Sequence, residues 1–288
     1  MYVIVFALVS ITLSSICQEE IPIDNSLGET SIKKVDKVFP TILVYNMSTS
    51  TVLQKGEMKL YLAHRMGTIG TGFDGAFGLY QANSRFGFDL GIVKKLVVGM
   101  GTTSQKKLFD GYVKYQLTQQ SEKFPFETAL YTSINYSNQK FNVPDEKQRT
   151  WQRIVYYNQF MLSRLFKGKL AVQGMVAHIH KNMVETKKDK NDLLALGAIV
   201  NVKLNRMFYF AAEYLYLPKK SVQSMDVKAN AVSVGIQIHT GPRHVFQLFL
   251  SNSAGILPNN VISETTTDFK PKFLRLCFNI PTTFHLFN

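Results

Sequence analysis

From Gly56 onward, apolar and polar residues alternate with a period of two, and the alternating segments are joined by connections that are short and long in turn. A period of two is the spacing at which successive side chains leave opposite faces of a β-strand. In the run from Arg85 to Ile92, Phe86, Phe88, Leu90 and Ile92 oppose Arg85, Gly87, Asp89 and Gly91. Further on, Val113, Tyr115 and Leu117 oppose Tyr112, Lys114 and Gln116. The last run sets Leu274, Leu276, Phe278 and Ile280 against Arg275, Cys277 and Asn279. About twelve strands are expected, near 56–66, 84–93, 95–103, 109–119, 125–136, 150–164, 169–180, 192–203, 206–217, 227–239, 243–252 and 272–284. Two residues break the pattern, Asn158 on an apolar side and Ile199 on a polar one. Heptads are absent, and β-branched and aromatic residues dominate the periodic segments, as strands prefer.

Short turns fall at Lys94, 121–124, 166–168, 204–205 and 240–242, and longer loops at 67–83, 104–108, 137–149, 181–191, 218–226 and 253–271. A soluble sandwich has no reason to sort its connections this way. An outer-membrane barrel does, with short periplasmic turns and longer extracellular loops. The expected fold is therefore all-β: a closed, antiparallel, up-and-down transmembrane β-barrel spanning 56–288, with both ends on the periplasmic side. The competing fold is a secreted soluble β-sandwich or jelly roll acting as a binding module. A mean hydropathy of −0.02 excludes neither, because lipid-facing and lumen-facing residues average out along each strand.

With the apolar faces assigned to lipid, the inward set holds Glu57, Lys59, Arg65, Arg85, Asp89, Asp110, Lys114, Glu127, Arg153, Lys169, Lys203, Glu213 and Arg275. The outward set carries aromatics near strand ends, such as Phe86, Tyr115, Tyr136, Phe208, Tyr214, Tyr216 and Phe284, as interfacial girdles require. Small inward residues, such as Gly87, Gly99, Gly197 and Gly235, leave too few large apolar side chains to fill a dry core.

The first seventeen residues, MYVIVFALVSITLSSIC, carry no charge and turn polar at Gln18-Glu19-Glu20. This reads as a signal peptide, 1–17, cleaved near Cys17. Ile16 argues against lipid attachment at Cys17, and the run is short for a retained helical anchor. Residues 18–55 are broken by Ile21-Pro22, Gly28 and Pro40 and are expected to form a periplasmic segment or a plug. Once Cys17 leaves, Cys277 is a lone thiol. The net charge of +13 is spread along the chain, with no nucleic-acid motif beside its densest patch at Lys187-Lys188-Asp189-Lys190, so nucleic acid is not an expected partner.

Several stretches resemble the membrane-bound, outer-membrane β-barrel domain family of unknown function found in Bacteroidetes. They are Lys55-Gly56-Glu57 leading to His64-Arg65-Met66-Gly67, Phe86 to Ile92, Asp110 to Tyr115, Ala212-Glu213-Tyr214, Thr240-Gly241 with His244 to Leu248, and Ser251-Asn252-Ser253. The resemblance runs from about 40 to 284 and departs at Pro242-Arg243 and at the terminal Asn288, one residue past Phe287. It implies a membrane barrel and no catalytic residues.

Candidate chemistry is sparse. His178 and His180, two apart on one strand, are half of a metal site that Glu185 or Asp189 would have to complete, or else rim histidines. His239 and His244 flank the turn with Thr240, Gly241 and Gln247, close enough in sequence to approach across it. A lipid hydrolase built on the barrel would pair an outward serine with an outward histidine; His64 is outward by register, but no serine signature stands beside it. Motifs such as G-x-S-x-G, Walker A, HExxH and CxxC are absent. The expectation is a porin-like barrel in the outer membrane of a Gram-negative bacterium: a small pore, or a binding or structural barrel with a charged lumen. No cofactor or metal is expected, and the expected partners are outer-membrane lipid, a periplasmic protein and a small anionic solute, which the Lys and Arg excess of the inward set would favour.

Overall fold

The computed structural model describes residues 35, 37–138, 149–184, 189–218, 229–241 and 243–286. The expected signal peptide with Cys17, all of 18–34, residue 36, Glu185, Pro242 and Phe287 lie outside them.

Two short strands come first, β1 (Leu43–Val44) and β2 (Met47–Ser48). Twelve longer strands follow: β3 (Glu57–Thr68), β4 (Asn83–Val93), β5 (Leu96–Thr103), β6 (Leu108–Thr118), β7 (Glu127–Ser137), β8 (Ile154–Phe166), β9 (Leu170–Lys181), β10 (Asp192–Lys203), β11 (Phe208–Tyr216), β12 (Ala231–His239), β13 (Val245–Ser251) and β14 (Arg275–His285). Each pairs antiparallel with its sequence neighbours, and β14 closes on β3, so β3–β14 form a closed barrel of the expected strand count. Closure leaves no unpaired edge, which a bilayer demands of any spanning sheet. Among the described residues no helix is long and apolar enough to cross a membrane.

Burial alternates along every strand as the period of two requires. In β6, Asp110 and Lys114 are buried while Phe109, Val113 and Tyr115 are exposed. The exposed set runs round the barrel with Leu62, Phe86, Leu130, Phe160, Leu196 and Leu248, an apolar belt that water would penalise and lipid does not. In β14, Cys277 and Asn279 are buried while Leu276, Phe278 and Ile280 face outward, the inverse of a soluble strand.

The interior is occupied. β1 and β2 form a hairpin, with Leu43 opposite Ser48 and the Thr49 N–H donating to the Ile42 carbonyl at 3.0 Å. Nearly every side chain from Val38 to Leu53 is buried although this segment belongs to no barrel strand, because it runs through the lumen. It enters at the short-turn end, where the Val35 N–H donates to the Gln120 carbonyl at 2.9 Å. Gly91 on β4 makes room for it: a Cβ there would stand 2.0 Å from the Gln54 carbonyl oxygen. At the other end the long β13–β14 connection folds inward. Its short helix α1 (Pro258–Ser263) starts with proline, whose fixed φ and missing N–H suit that position, and all six residues are buried.

Several expectations need correcting. Arg153 is not on a strand; it ends a 3-10 turn, Thr150–Arg153, before β8 and is half-buried. Lys203, the last residue of β10, is exposed at the rim, and Lys169 sits exposed in a turn. The interior is also drier than the small inward residues suggested. Met161, Met175, Ile179, Leu193 and Ile199 are buried inside the barrel and pack with Phe39, Val44, Tyr45 and Met47 of the luminal segment. Ile199, the misfit of the alternation, is there because the lumen has an apolar side.

Candidate functional site

The inward charges are concentrated on β3–β7, and the luminal hairpin meets them with backbone groups. The Lys114 ammonium donates to the carbonyls of Ile42, Thr49 and Thr51 at 3.2, 3.1 and 2.7 Å. Glu127 accepts from the hydroxyls of Ser50 at 2.6 Å and Thr51 at 3.3 Å. Arg85 forks onto Asp110, with Nε 3.1 Å from Oδ1 and the second contact shorter, and its guanidinium lies 5.5 Å from the Tyr61 ring centre. Arg65 donates to the Tyr45 carbonyl at 3.2 Å, to Asn46 Oδ1 at 3.0 Å and to Asn279 Oδ1 at 2.8 Å. Such charge-assisted bonds are what permits ions inside a barrel.

From the far wall Glu213 reaches the hairpin turn. It accepts from the backbone N–H groups of Asn46 at 3.2 Å and Met47 at 3.1 Å, and from Asn46 Nδ2 at 3.0 Å. Gln159 and Gln173 donate to the Ser48 carbonyl at 3.3 and 2.9 Å, and Gln247 to that of Leu43 at 2.9 Å. Tyr45 stacks on Phe249 with ring centres 4.3 Å apart. Burial and the neighbouring Glu213 carboxylate hold its hydroxyl well above the usual phenol range. Between the hairpin and α1 a cavity of about 40 Å³ remains, lined by Asn46, Ser48, Arg85, Asp89, Tyr112 and Leu257 among others. That is room for about three waters and for no larger solute.

Of the inward charges expected from sequence, Glu57, Lys59, Arg65, Arg85, Asp89, Asp110, Lys114, Glu127 and Glu213 are buried. Four are basic and five acidic, so the deep lumen has no cationic excess. The excess came from counting rim residues with it. Arg275, at a bulge on β14, is half-buried and donates to the Met66 carbonyl at 3.2 Å, while Lys203 lies 6.0 Å from the Tyr209 ring centre.

The histidines separate. His239 faces inward against Tyr209, ring centres 4.6 Å apart, while His244 faces outward with Nδ1 3.1 Å from Thr282 Oγ1. They do not meet across the turn, which Thr240 closes by donating its N–H to the His244 carbonyl at 3.2 Å. His178 and His180 also face outward. Asp192 Oδ1 lies 2.9 Å from one ring and 2.8 Å from the other, in the place where Glu185 or Asp189 was expected. Among the described residues no group of three or more His, Cys, Asp or Glu is arranged to hold a metal ion.

One pairing was missed. Ser84 stands directly opposite His64 on the outward face, with Oγ 2.8 Å from His64 Nδ1. The signal was the register across the 67–83 loop, which loop length alone does not give. The His64 ring stacks on Phe278 at 5.1 Å, and among the described residues no carboxylate touches it, so the orienting third group of a hydrolytic triad is missing.

Solved structures of similar shape include porins. The NanC porin superposes with a TM-score of 0.52 at 11% identity, covering 79% of this chain and 98% of its own. The KdgM porin in complex with disordered oligogalacturonate superposes at 0.50 with 9% identity, covering 80% and 99%. At such identity the likeness concerns the fold. No curated protein matches the chain by sequence. The family model for membrane-bound β-barrel domains matches residues 39–284, nearly the whole barrel with its luminal hairpin, and the chain belongs to that family (DUF5777) of undefined function.

Proposed function

We propose that this is an outer-membrane barrel, closed at rest, that passes small hydrophilic solutes when residues 38–54 leave the lumen. One observation carries the reading. The luminal segment is held largely by hydrogen bonds from charged and amide side chains on the wall, through Lys114, Glu127, Glu213, Arg65 and Gln173. Those groups accept water equally well, so a wall that binds the hairpin is also a wall that stays wet without it.

The segment enters from the short-turn end, where the Val35 N–H meets the Gln120 carbonyl, and this supports a periplasmic protein as the partner that draws it out. The near balance of buried charge predicts weak discrimination by the lumen wall itself. Preference for a small anion rests on the rim cations Arg153, Lys203 and Arg275. The acidic oligosaccharide of the KdgM complex is an example of such a solute in a barrel of this shape.

The test is conductance in planar bilayers. The full chain is expected to be nearly silent, and a variant lacking residues 38–54 to show discrete steps, with folding of both checked by heat-modifiable gel mobility. A folded deletion variant as silent as the full chain overturns the pore and leaves a structural barrel. Should the deletion fail to fold, the Lys114→Met, Glu213→Gln double variant asks the same question with the hairpin in place.

A further inference from the structure

The two ends of the barrel differ in charge. Among the short turns, Lys94, Lys95, Lys167, Lys169, Arg206 and Arg243 stand without an acid, and the remaining turn sets Lys123 beside the sole carboxylate, Glu122. At the long-loop end the described connections are mixed, with Asp74, Asp189, Glu264 and Asp268 among the cations. All but Lys95 of the short-turn cations are exposed.

Two of these lysines occupy costly backbone positions. Lys95 has φ 75° and Lys167 has φ 48°, in the left-handed region where glycine or asparagine is the cheap choice. Lys106 (φ 58°) and Lys107 (φ 45°) at the long-loop end share this conformation, so it is the charge balance and the surroundings of Arg164 that set the short-turn end apart. Arg164, one turn of the pleat above Lys167, adds an independent sign. It faces outward on β8, with its guanidinium 4.8 Å from the Phe166 ring centre and 5.7 Å from that of Phe126, and its Nε has no hydrogen-bond partner. Exposed Phe124, Leu204, Met207 and Leu286 share this end of the barrel.

Cations interleaved with exposed aromatic and aliphatic side chains fit a lipid interface, where the ring lies at headgroup depth and the long basic side chain reaches past it to phosphate. A soluble acidic protein would not favour the apolar members. We propose that the short-turn rim binds the phosphate headgroups of anionic phospholipid in the leaflet at that end, with Arg164 and Lys167 at the centre of one binding position. The lipid anchors the wall beside the hairpin's point of entry while the outer leaflet is left to the mixed long loops.

Native mass spectrometry of the full chain in detergent, with phosphatidylglycerol and phosphatidylcholine of the same acyl chains, tests this. Phosphatidylglycerol should be retained preferentially. The double variant Arg164→Ala, Lys167→Asn should lower that affinity about twenty-five-fold, given roughly fivefold per cation at an anionic surface. Asparagine tolerates the turn conformation, so folding is preserved. The control Lys106→Ser, Lys107→Ser at the long-loop end should leave the preference intact. Equal retention of both lipids, a preference unchanged in the double variant, or an equal loss in the control overturns the proposal. So does displacement of the lipid by soluble polyglutamate at matched charge, which would assign the surface to a protein.

Discussion

Two walls enclose the hairpin. On β3–β7 the buried inward residues include Lys59, Arg65, Arg85, Asp89, Asp110, Lys114 and Glu127. On β8–β12 they include Tyr157, Met161, Met175, Ile179, Leu193 and Ile199 with the neutral amides of Gln159 and Gln173, and among the described residues Glu213 is the one buried charge there. The hairpin is matched to both. Its carbonyls and hydroxyls point to the charged wall, and Val44, Tyr45 and Met47 share a core cluster with the neutral one. The walls hold by different physics. A buried charge facing a carbonyl is costly to strip of its partner, whereas an apolar contact loses free energy in proportion to the atoms removed. The neutral wall therefore adds grip, and the charged wall decides whether the hairpin has an alternative in water.

The sharpest way to break this contrast is Lys114→Met. It takes one donor from each of three hairpin carbonyls and leaves the neighbouring acids less compensated, at a cost of about 3–5 kcal/mol to the seated hairpin. Trypsin cleavage within the amino-terminal segment of folded protein should rise sharply, while gel mobility still reports a closed barrel. Unchanged protection would mean that apolar packing alone seats the hairpin.

Glu213→Gln comes next. The amide keeps the shape but replaces an acceptor-only carboxylate that receives the N–H groups of Asn46 and Met47. We expect a loss of about 2–3 kcal/mol, read by the same protection assay. Because Glu213 is alone on its wall, restoring a charge elsewhere on β8–β12 should not rescue it. Ile179→Val is smaller, about 1 kcal/mol in urea titration, and should leave salt dependence untouched, since nothing ionic is lost. A salt-sensitive effect there would blur the distinction between the walls.

How far the sequence reveals this division is instructive. The strands and their faces were legible because each follows from neighbours along the chain, whereas closure joins β14 to β3 across the whole barrel and was inferred from outward apolar faces that leave no place for an open edge in lipid. The luminal contacts were not. Asn46 and Glu213 lie 167 residues apart, and nothing local marks either as the other's partner. Ile199 looked like an error of pattern and is a core residue, because an inward apolar position makes sense only once a hairpin is there to cover it. The charge excess was misjudged for a related reason, since alternation assigns rim and deep lumen to the same face. The Ser84–His64 pair was hidden by register, where a shift of one residue moves a side chain to the other face.

That pair supplies the smallest expected effect and a control for both walls. Ser84→Ala removes one partly exposed neutral hydrogen bond on the lipid-facing side, 2.8 Å long and far from the hairpin. Its loss should change stability by no more than about 1 kcal/mol and leave protease protection and conductance as they are. A change in either would mean that the outer surface is coupled to the plug through the β3–β4 ladder. The same variant bears on chemistry. Phe278 stacks on the face of the His64 ring, and among the described residues no carboxylate meets its second nitrogen, so wild-type protein in lipid micelles should release no fatty acid beyond the protein-free rate. Release that disappears in Ser84→Ala would turn a cross-strand bond into a nucleophile and its base, and would make the barrel an enzyme.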